Sequence, residues 1–181
     1  MKHILALGRD RTKVVARSKK VNAINDLSSL DASVVLFLNN AHAKETSGLD
    51  DASLAALLEM AFYARGIDRG ATAFLIALDH NASYANPNFK WFKASRESFV
   101  YIDRIVVASS ARGTGIGKFL YGDLFAAAKQ AGHDRVVCEV NIEPPNLVSE
   151  AFHVSLGFSP VGQGAIHNGT KTVRYFERTL P

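Results

Sequence analysis

Residues 104–120, "RIVVASSARGTGIGKFL", constrain what this chain can become more than any other stretch. An apolar run of strand character leads into three glycines at alternate positions, Gly113, Gly115 and Gly117. From Gly115 onward, Ile116, Phe119, Leu120, Leu124, Ala127 and Ala128 recur at helical spacing up to Gly132, a C-cap. A strand that turns through small residues into a helix aims successive backbone N–H groups at one point, at the positive end of the helix, here beside Arg112 and Lys118. Such a turn suits an anion, a pyrophosphate above all. Glycine-rich turns that bind nothing are also common. The G-x-G-x-G spacing misses the dinucleotide fingerprint, and Gly117-Lys118 is followed by Phe119 rather than the Ser or Thr of a nucleoside-triphosphate loop.

The flanking elements alternate. "LDASVVLFLNNAHAKE" reads as a short buried helix with Ser33 as N-cap, and "DDASLAALLEMAFYARG" as a second helix. The second carries Leu54, Leu57, Leu58, Ala61 and Phe62 on one face and stops at Gly66. Strands are expected over 71–79, 98–108 and 135–140, a helix over 147–156 ending at Gly157, and a final hairpin turning at Asn168-Gly169. The order of helices, strands, helix, strand, helix and hairpin predicts a mixed α/β domain with a partly parallel sheet.

At 181 residues and 48% hydrophobic content, one well-buried domain is expected, over 25–181. Residues 1–24 hold seven basic side chains against Asp10 alone, a net of +6, which with +4 for the whole chain leaves −2 for the remainder. This reads as a basic arm, disordered or belonging to a start placed too early, with a transit peptide or a phosphate-binding tail as lesser readings. No apolar run approaches the roughly 20 residues that cross a bilayer, and no secretory signal is evident, so a cytoplasmic protein without membrane contact is expected. The lone Cys138 sits in the strand-like "RVVCEV" as a buried apolar side chain, and no Cys/His spacing implies a metal.

"RIVVASSARGTGIGKFLYGDLFAAAKQAG" resembles the R-x-x-G-x-G/A signature of the Gcn5-related N-acetyltransferase (GNAT) superfamily, and "NLVSEAFHVSLGF" resembles its N-x-x-A/S-x-x-L/F-Y-x-x-x-G-F segment, one strand later. The resemblance runs from about residue 74 to the C-terminus. It implies an α/β (α+β mixed) fold: a central mixed sheet of six or seven strands, flanked by helices on both faces and splayed between the strand ending at Val107 and that ending near Val140. Acetyl-coenzyme A would lie in the splay as co-substrate. Backbone groups at Val107 would hold its pantetheine arm and acetyl carbonyl. Amides of Arg112, Gly113, Thr114, Gly115, Ile116, Gly117 and Lys118 would hold the pyrophosphate, and Asn146 a further part of the arm. "VNIEPPN" departs from the pattern, since Pro144 and Pro145 lengthen the approach to Asn146.

Acetyl transfer to an amine needs a neutral amine, stabilisation of the oxyanion and a way to neutralise the leaving thiolate. Asp103, which interrupts an apolar strand four residues before Val107, is the first candidate base. It could instead pair with Arg104 or face water, and Glu139 on the neighbouring strand is the rival. His153 stands where the superfamily often has the tyrosine assigned as acid; some members carry histidine there, and a helical histidine is otherwise structural. The acceptor would be a small-molecule amine, with Asn39 and Asn40 before the second helix and Trp91 in the aromatic loop "HNASYANPNFKWFKASRES" as candidate contacts beside Glu139. The aromatic rings could equally cap the core, and the C-terminal hairpin offers an edge for a homodimer. Rival readings are a coenzyme A-binding protein without turnover, a protein or peptide acetyltransferase, and, last, a nucleic-acid-associated factor using the basic arm.

Overall fold

The apolar run before the glycines is a central strand whose side chains enter two separate cores. The structure, a computed structural model, describes residues 23–27, 32–166 and 169–181; the basic arm up to residue 22 and Asn168 of the expected turn lie outside these. In chain order come β1 (Ile24–Asp26), α1 (Ala32–Asn40), the one-turn α2 (Ala43–Thr46), α3 (Asp51–Glu59), β2 (Tyr63–Ile67) and β3 (Ala73–Asp79). Then follow α4 (Pro87–Lys93), β4 (Val100–Val107), α5 (Ile116–Gln130), β5 (Arg135–Glu143), α6 (Leu147–Ser155), β6 (Ser159–Ile166) and β7 (Lys171–Thr179). The strands form one seven-stranded sheet in the order β1-β2-β3-β4-β5-β7-β6. Only β4 and β5 pair in parallel among the described strands.

Alternation along the central strands divides the interior. Val100 and Ile102 of β4 with Val136, Cys138 and Val140 of β5 meet Ile116, Leu120, Tyr121 and Leu124 of α5. Tyr101 and Val137 face the other way, onto Val35 and Leu38 of α1, Leu54 and Leu57 of α3, and Phe89 and Phe92 of α4. A one-residue slip would exchange the two sets, so burial on both faces fixes the register. The mixed sheet with helices on both faces is the architecture the sequence implies. Among the described residues, no helix is long and apolar enough to cross a membrane.

Several local readings are corrected. The second helix does not run to Gly66: α3 ends at Glu59, and Tyr63–Ile67 is a strand paired with both β1 and β3. Two strands therefore lie before the first one expected, because Tyr63 and Ile67 are buried by the sheet and tertiary pairing outweighs helical spacing. Ser33 lies inside α1 rather than at its cap, and α1 is buried on one side only, with Phe37 81% exposed. The aromatic loop contains α4, for which Asn86 is the N-cap, accepting from the amides of Asn88 (2.8 Å) and Phe89 (3.4 Å), and Pro87 opens the first turn. The third strand continues past Val140 to Glu143.

Gly66 is needed for contact, not as a helix stop. A Cβ there would lie 2.8 Å from the carbonyl oxygen of Ala73 and 3.0 Å from both Gly70 Cα and a Leu27 methyl. Backbone atoms cannot give way as a side-chain tip can. Gly66→Ala is expected to lower unfolding free energy by about 1–3 kcal/mol, read as a lower urea midpoint at unchanged slope.

Candidate active site

β4 and β5 pair only at Val100↔Val136 and Tyr101↔Val137 and then diverge. The cause lies in β4. Ile76 of β3 opposes Arg104, but the next residue, Ala77, opposes Ile102, so Asp103 is an extra residue in a β-bulge. A bulge bends its strand and steepens the twist. It also lets Asp103 and Arg104 reach the same face, while Ile105 and Val107 keep to the α5 core. Between the divergent strands lies a cavity of about 250 Å³, lined by Asp103, Arg104, Cys138, Glu139, Asn146 and His153 among others.

The edge of β4 that faces this cavity is not paired with β5 beyond Tyr101. The amide of Ala108 donates to Thr72 O at 2.9 Å, on the β3 side. The N–H and C=O of Val107, one residue earlier in the pleat, therefore point to the opposite edge, into the splay. Val107 O accepts from Arg112 Nε at 3.3 Å, and Arg112 Nη2 approaches His42 Nδ1 at 3.1 Å.

Beyond Val107 the glycine turn has the form an anion site requires. Gly113 and Gly115 adopt φ of +74° and +89°, and a Cβ on either would meet nothing within 4 Å, so backbone conformation rather than crowding calls for glycine. Gly115 is the N-cap of α5 without any side-chain cap, and Phe119 bonds back to Gly115 O at 3.0 Å. The amides of Ile116, Gly117 and Lys118 are then the helix's unsatisfied first turn. Gly117 differs from the other two, since a Cβ there would press on the Phe152 ring of α6 at 3.0 Å. Thr114 Oγ1 donates to Ala111 O at 2.6 Å, and Lys118 is exposed nearby.

The two carboxylates beside the cavity have different surroundings. Asp103 pairs with Arg104, Nε to Oδ2 at 2.6 Å, and its Oδ1 accepts from Tyr84 Oη at 2.6 Å; the two charged side chains are 3% and 6% exposed. Arg104 Nη1 in turn donates to Asn39 Oδ1 at 2.9 Å. Among the described residues Glu139 has no cationic partner. Its Oε1 accepts from Asn88 Nδ2 (3.0 Å) and Tyr101 Oη (3.1 Å), while Oε2 is shielded from solvent and has no hydrogen-bond partner. The residue as a whole is half-buried and lines the cavity. Burial first, and the charge of Asp103 next, push the Glu139 carboxyl up to about 8 against the lowering effect of its two donors.

His153 is buried with both ring nitrogens occupied. Nδ1 lies 2.7 Å from Ser149 O, a group that only accepts, so Nδ1 carries the hydrogen and Nε2 accepts from Tyr121 Oη at 2.6 Å. Burial lowers its pKa and keeps the ring neutral. Asn146 lines the cavity but its Oδ1 caps α6, accepting from Ser149 N at 3.1 Å. Asn39 and Asn40 bind backbone carbonyls of the following turn, Ser47 at 3.0 Å and Leu49 at 2.9 Å, and are outside the cavity wall. Trp91 is outside it too, stacked on Tyr175 with centroids 4.0 Å apart. The thiol of Cys138 is pushed well up by burial. Sequence reasoning did not single out Asn88, Tyr101, Tyr121 or Tyr175; the Asn86-Pro87 helix start was the available pointer to the first of them.

An acetyltransferase (GNAT) family profile matches residues 48–158. No curated protein sequence matches the chain. Among solved structures, the ribosomal-protein-S18-alanine N-acetyltransferase of Escherichia coli superposes with a TM-score of 0.64 at 14% identity, covering 88% of this chain and 94% of its own. Ard1 from Thermoplasma volcanium gives 0.65 at 12% identity, with 88% and 98% covered. The protein yncA from Salmonella typhimurium, solved with its cofactor acetyl-CoA, gives 0.62 at 17% identity, with 88% and 94% covered. At such identities the likeness is one of fold. The profile match spans more than half of the sequence and contains the splay, the glycine turn and α6, so the chain belongs to the acetyltransferase (GNAT) family.

Proposed function

We propose that the protein transfers an acetyl group from acetyl-coenzyme A to the primary amine of a small, amino-acid-like acceptor, with both reactants in the splay at once. The observation that carries this reading is the junction of an unpaired β4 edge and an uncapped helix turn at one end with a buried, unpartnered carboxylate oxygen at the other. The edge and the turn fit the proposed co-substrate. Main-chain groups at Val107 suit an arm bearing amides, and the first-turn amides of α5 with Arg112 and Lys118 suit its phosphates. When bound, it supplies an activated carbonyl and a thiol leaving group of pKa near about 8.5.

A primary amine with a pKa near about 10 arrives mostly protonated at neutral pH, so the chain must take up that proton. We assign this to Glu139, because its shielded Oε2 accepts no hydrogen bond among the described residues while both oxygens of Asp103 are held by Arg104 and Tyr84. Asp103 then serves as a fixed negative charge that keeps the proton affinity of Glu139 high. His153, neutral and held by Tyr121 and Ser149, shapes the wall near α6. A cavity of about 250 Å³ with Asn86, Asn88 and Asn141 in its wall favours a small polar acceptor. Protein or peptide amines are the second reading, favoured by the fold shared with the ribosomal-protein-S18-alanine N-acetyltransferase.

The first test is the thermal midpoint with acetyl-coenzyme A, free coenzyme A, or a nicotinamide dinucleotide. Stabilisation of about 2.7 kcal/mol at a hundredfold excess over Kd is expected with both coenzyme A forms alone. Thiol release with amino acids, polyamines and short peptides then tests turnover, and none with any of them would leave only a binding protein.

Glu139→Gln keeps an acceptor for Tyr101 and Asn88 but cannot take up a proton. It is expected to lower kcat by about 100- to 10,000-fold. In the parent, kcat/KM should rise with pH and level off above about 8. Stability moves oppositely. Between the ordinary 4.5 and the folded value of about 8 the unfolded chain binds fewer protons at this site, so the parent loses stability as pH rises through that window. The variant should therefore melt higher than the parent at pH 8, with the gap closing below pH 4.5.

A further inference from the structure

We propose that Asn88 is the positioning residue that aims the Glu139 carboxylate at the acceptor, and that α4 is held against the sheet so as to deliver it. This rests on the reading of Glu139 as base. Asn88 is 4% exposed in the first turn of α4 and is fixed on both sides of its amide. Tyr175 Oη of β7 donates to its Oδ1 at 3.2 Å, which turns Nδ2 toward Glu139 Oε1 at 3.0 Å. Tyr101 Oη supplies a second donor to the same oxygen at 3.1 Å. With Oε1 accepting twice, the carboxyl can gain a proton only at Oε2. The same hydrogen bonds then serve the ionised and the protonated acid, and no group must turn when the proton moves.

The placement of Tyr175 is itself built. Trp91 of α4 stacks on it with centroids 4.0 Å apart and planes 19° from parallel. Beneath the two rings β6 carries glycines: a Cβ on Gly162 would lie 2.6 Å from the Trp91 ring, and one on Gly164 2.6 Å from Tyr175 Oη. The glycines thus admit the ring pair, which presents one hydroxyl to Asn88. The titratable groups that act on Glu139 are Asp103 and Tyr101 on β4, Tyr175 on β7 and its strand neighbour Cys138, whose side chain packs on the α5 side; Arg104, His153 and Lys171 line the same cavity. Tyr84 lies behind Asp103, whose charge Arg104 partners.

The test is a carbon-13 NMR titration of the full chain labelled at glutamate Cδ, with Glu139 identified by its absence in Glu139→Gln, alongside acetyl-coenzyme A-dependent thiol release with an amino-acid mixture. In the parent Glu139 should titrate at about 8. Asn88→Ala should raise the midpoint by about one unit through loss of a donor. Asn88→Asp, of equal volume, should raise it further by placing a like charge against Oε1. Both should cut kcat about 10- to 100-fold while leaving stabilisation by free coenzyme A unchanged. Tyr175→Phe should do the same more weakly. A parent midpoint near 4.5 would remove the base reading and this inference with it. A midpoint of about 8 that neither Asn88 variant moves would overturn this inference alone.

Discussion

Everything at the centre of this molecule depends on how little of β4 touches β5. Parallel pairing at Val100↔Val136 and Tyr101↔Val137 ties the two halves of the sheet together, and the bulge at Asp103 ends it. Continued pairing would have used the backbone groups of Ile105 and Val107 in a ladder and left no room for a cavity. Because the strands part, one edge of a buried strand stays open inside the protein. The α5 helix that closes the crossover begins at the mouth of the same gap. The bulge also explains why Asp103 and Arg104 can both face Asn39 and Tyr84 while the apolar residues after them stay in phase with α5.

The two carboxylates show how environment, not residue type, sets neighbouring acids apart. Asp103 has a guanidinium and a phenol on its oxygens in a place with little water. Glu139 has only neutral donors, both on one oxygen, and its proton affinity rises. A buried acid without a counter-ion costs folding free energy at neutral pH, and natural proteins keep such groups where function needs them. Deep in a strand that could have carried valine, Glu139 is a departure from the most stable sequence.

Much of this was legible beforehand. The strand, glycine turn and α5 declared themselves through a change of period from two to 3.6, and α6 through its motif and Gly157. β2 was not, since in "FYARG" the strand is short, follows a strong helix and depends on pairing with β1 and β3, which no local pattern reports. α4 was hidden by the turn-forming residues on either side, although Asn86-Pro87 is a well-formed start. Asp103 stood out as a charge in an apolar run, yet its engagement with Arg104 and Tyr84 depends on the bulge, a feature of alignment between strands. Glu139 gave the weaker sequence signal, because what distinguishes it is the set of partners brought from α4, β4 and β7.

The open edge of β4 has one more consequence. The groups along it are peptide N–H and C=O, so any side chain compatible with a buried strand leaves them in place, and exchanging Ile105 or Val107 for another apolar residue alters the lining without altering the hydrogen-bonding pattern. Only a residue that removes the amide itself, proline, erases a donor there. The slot thus follows from the course of the chain rather than from particular side chains.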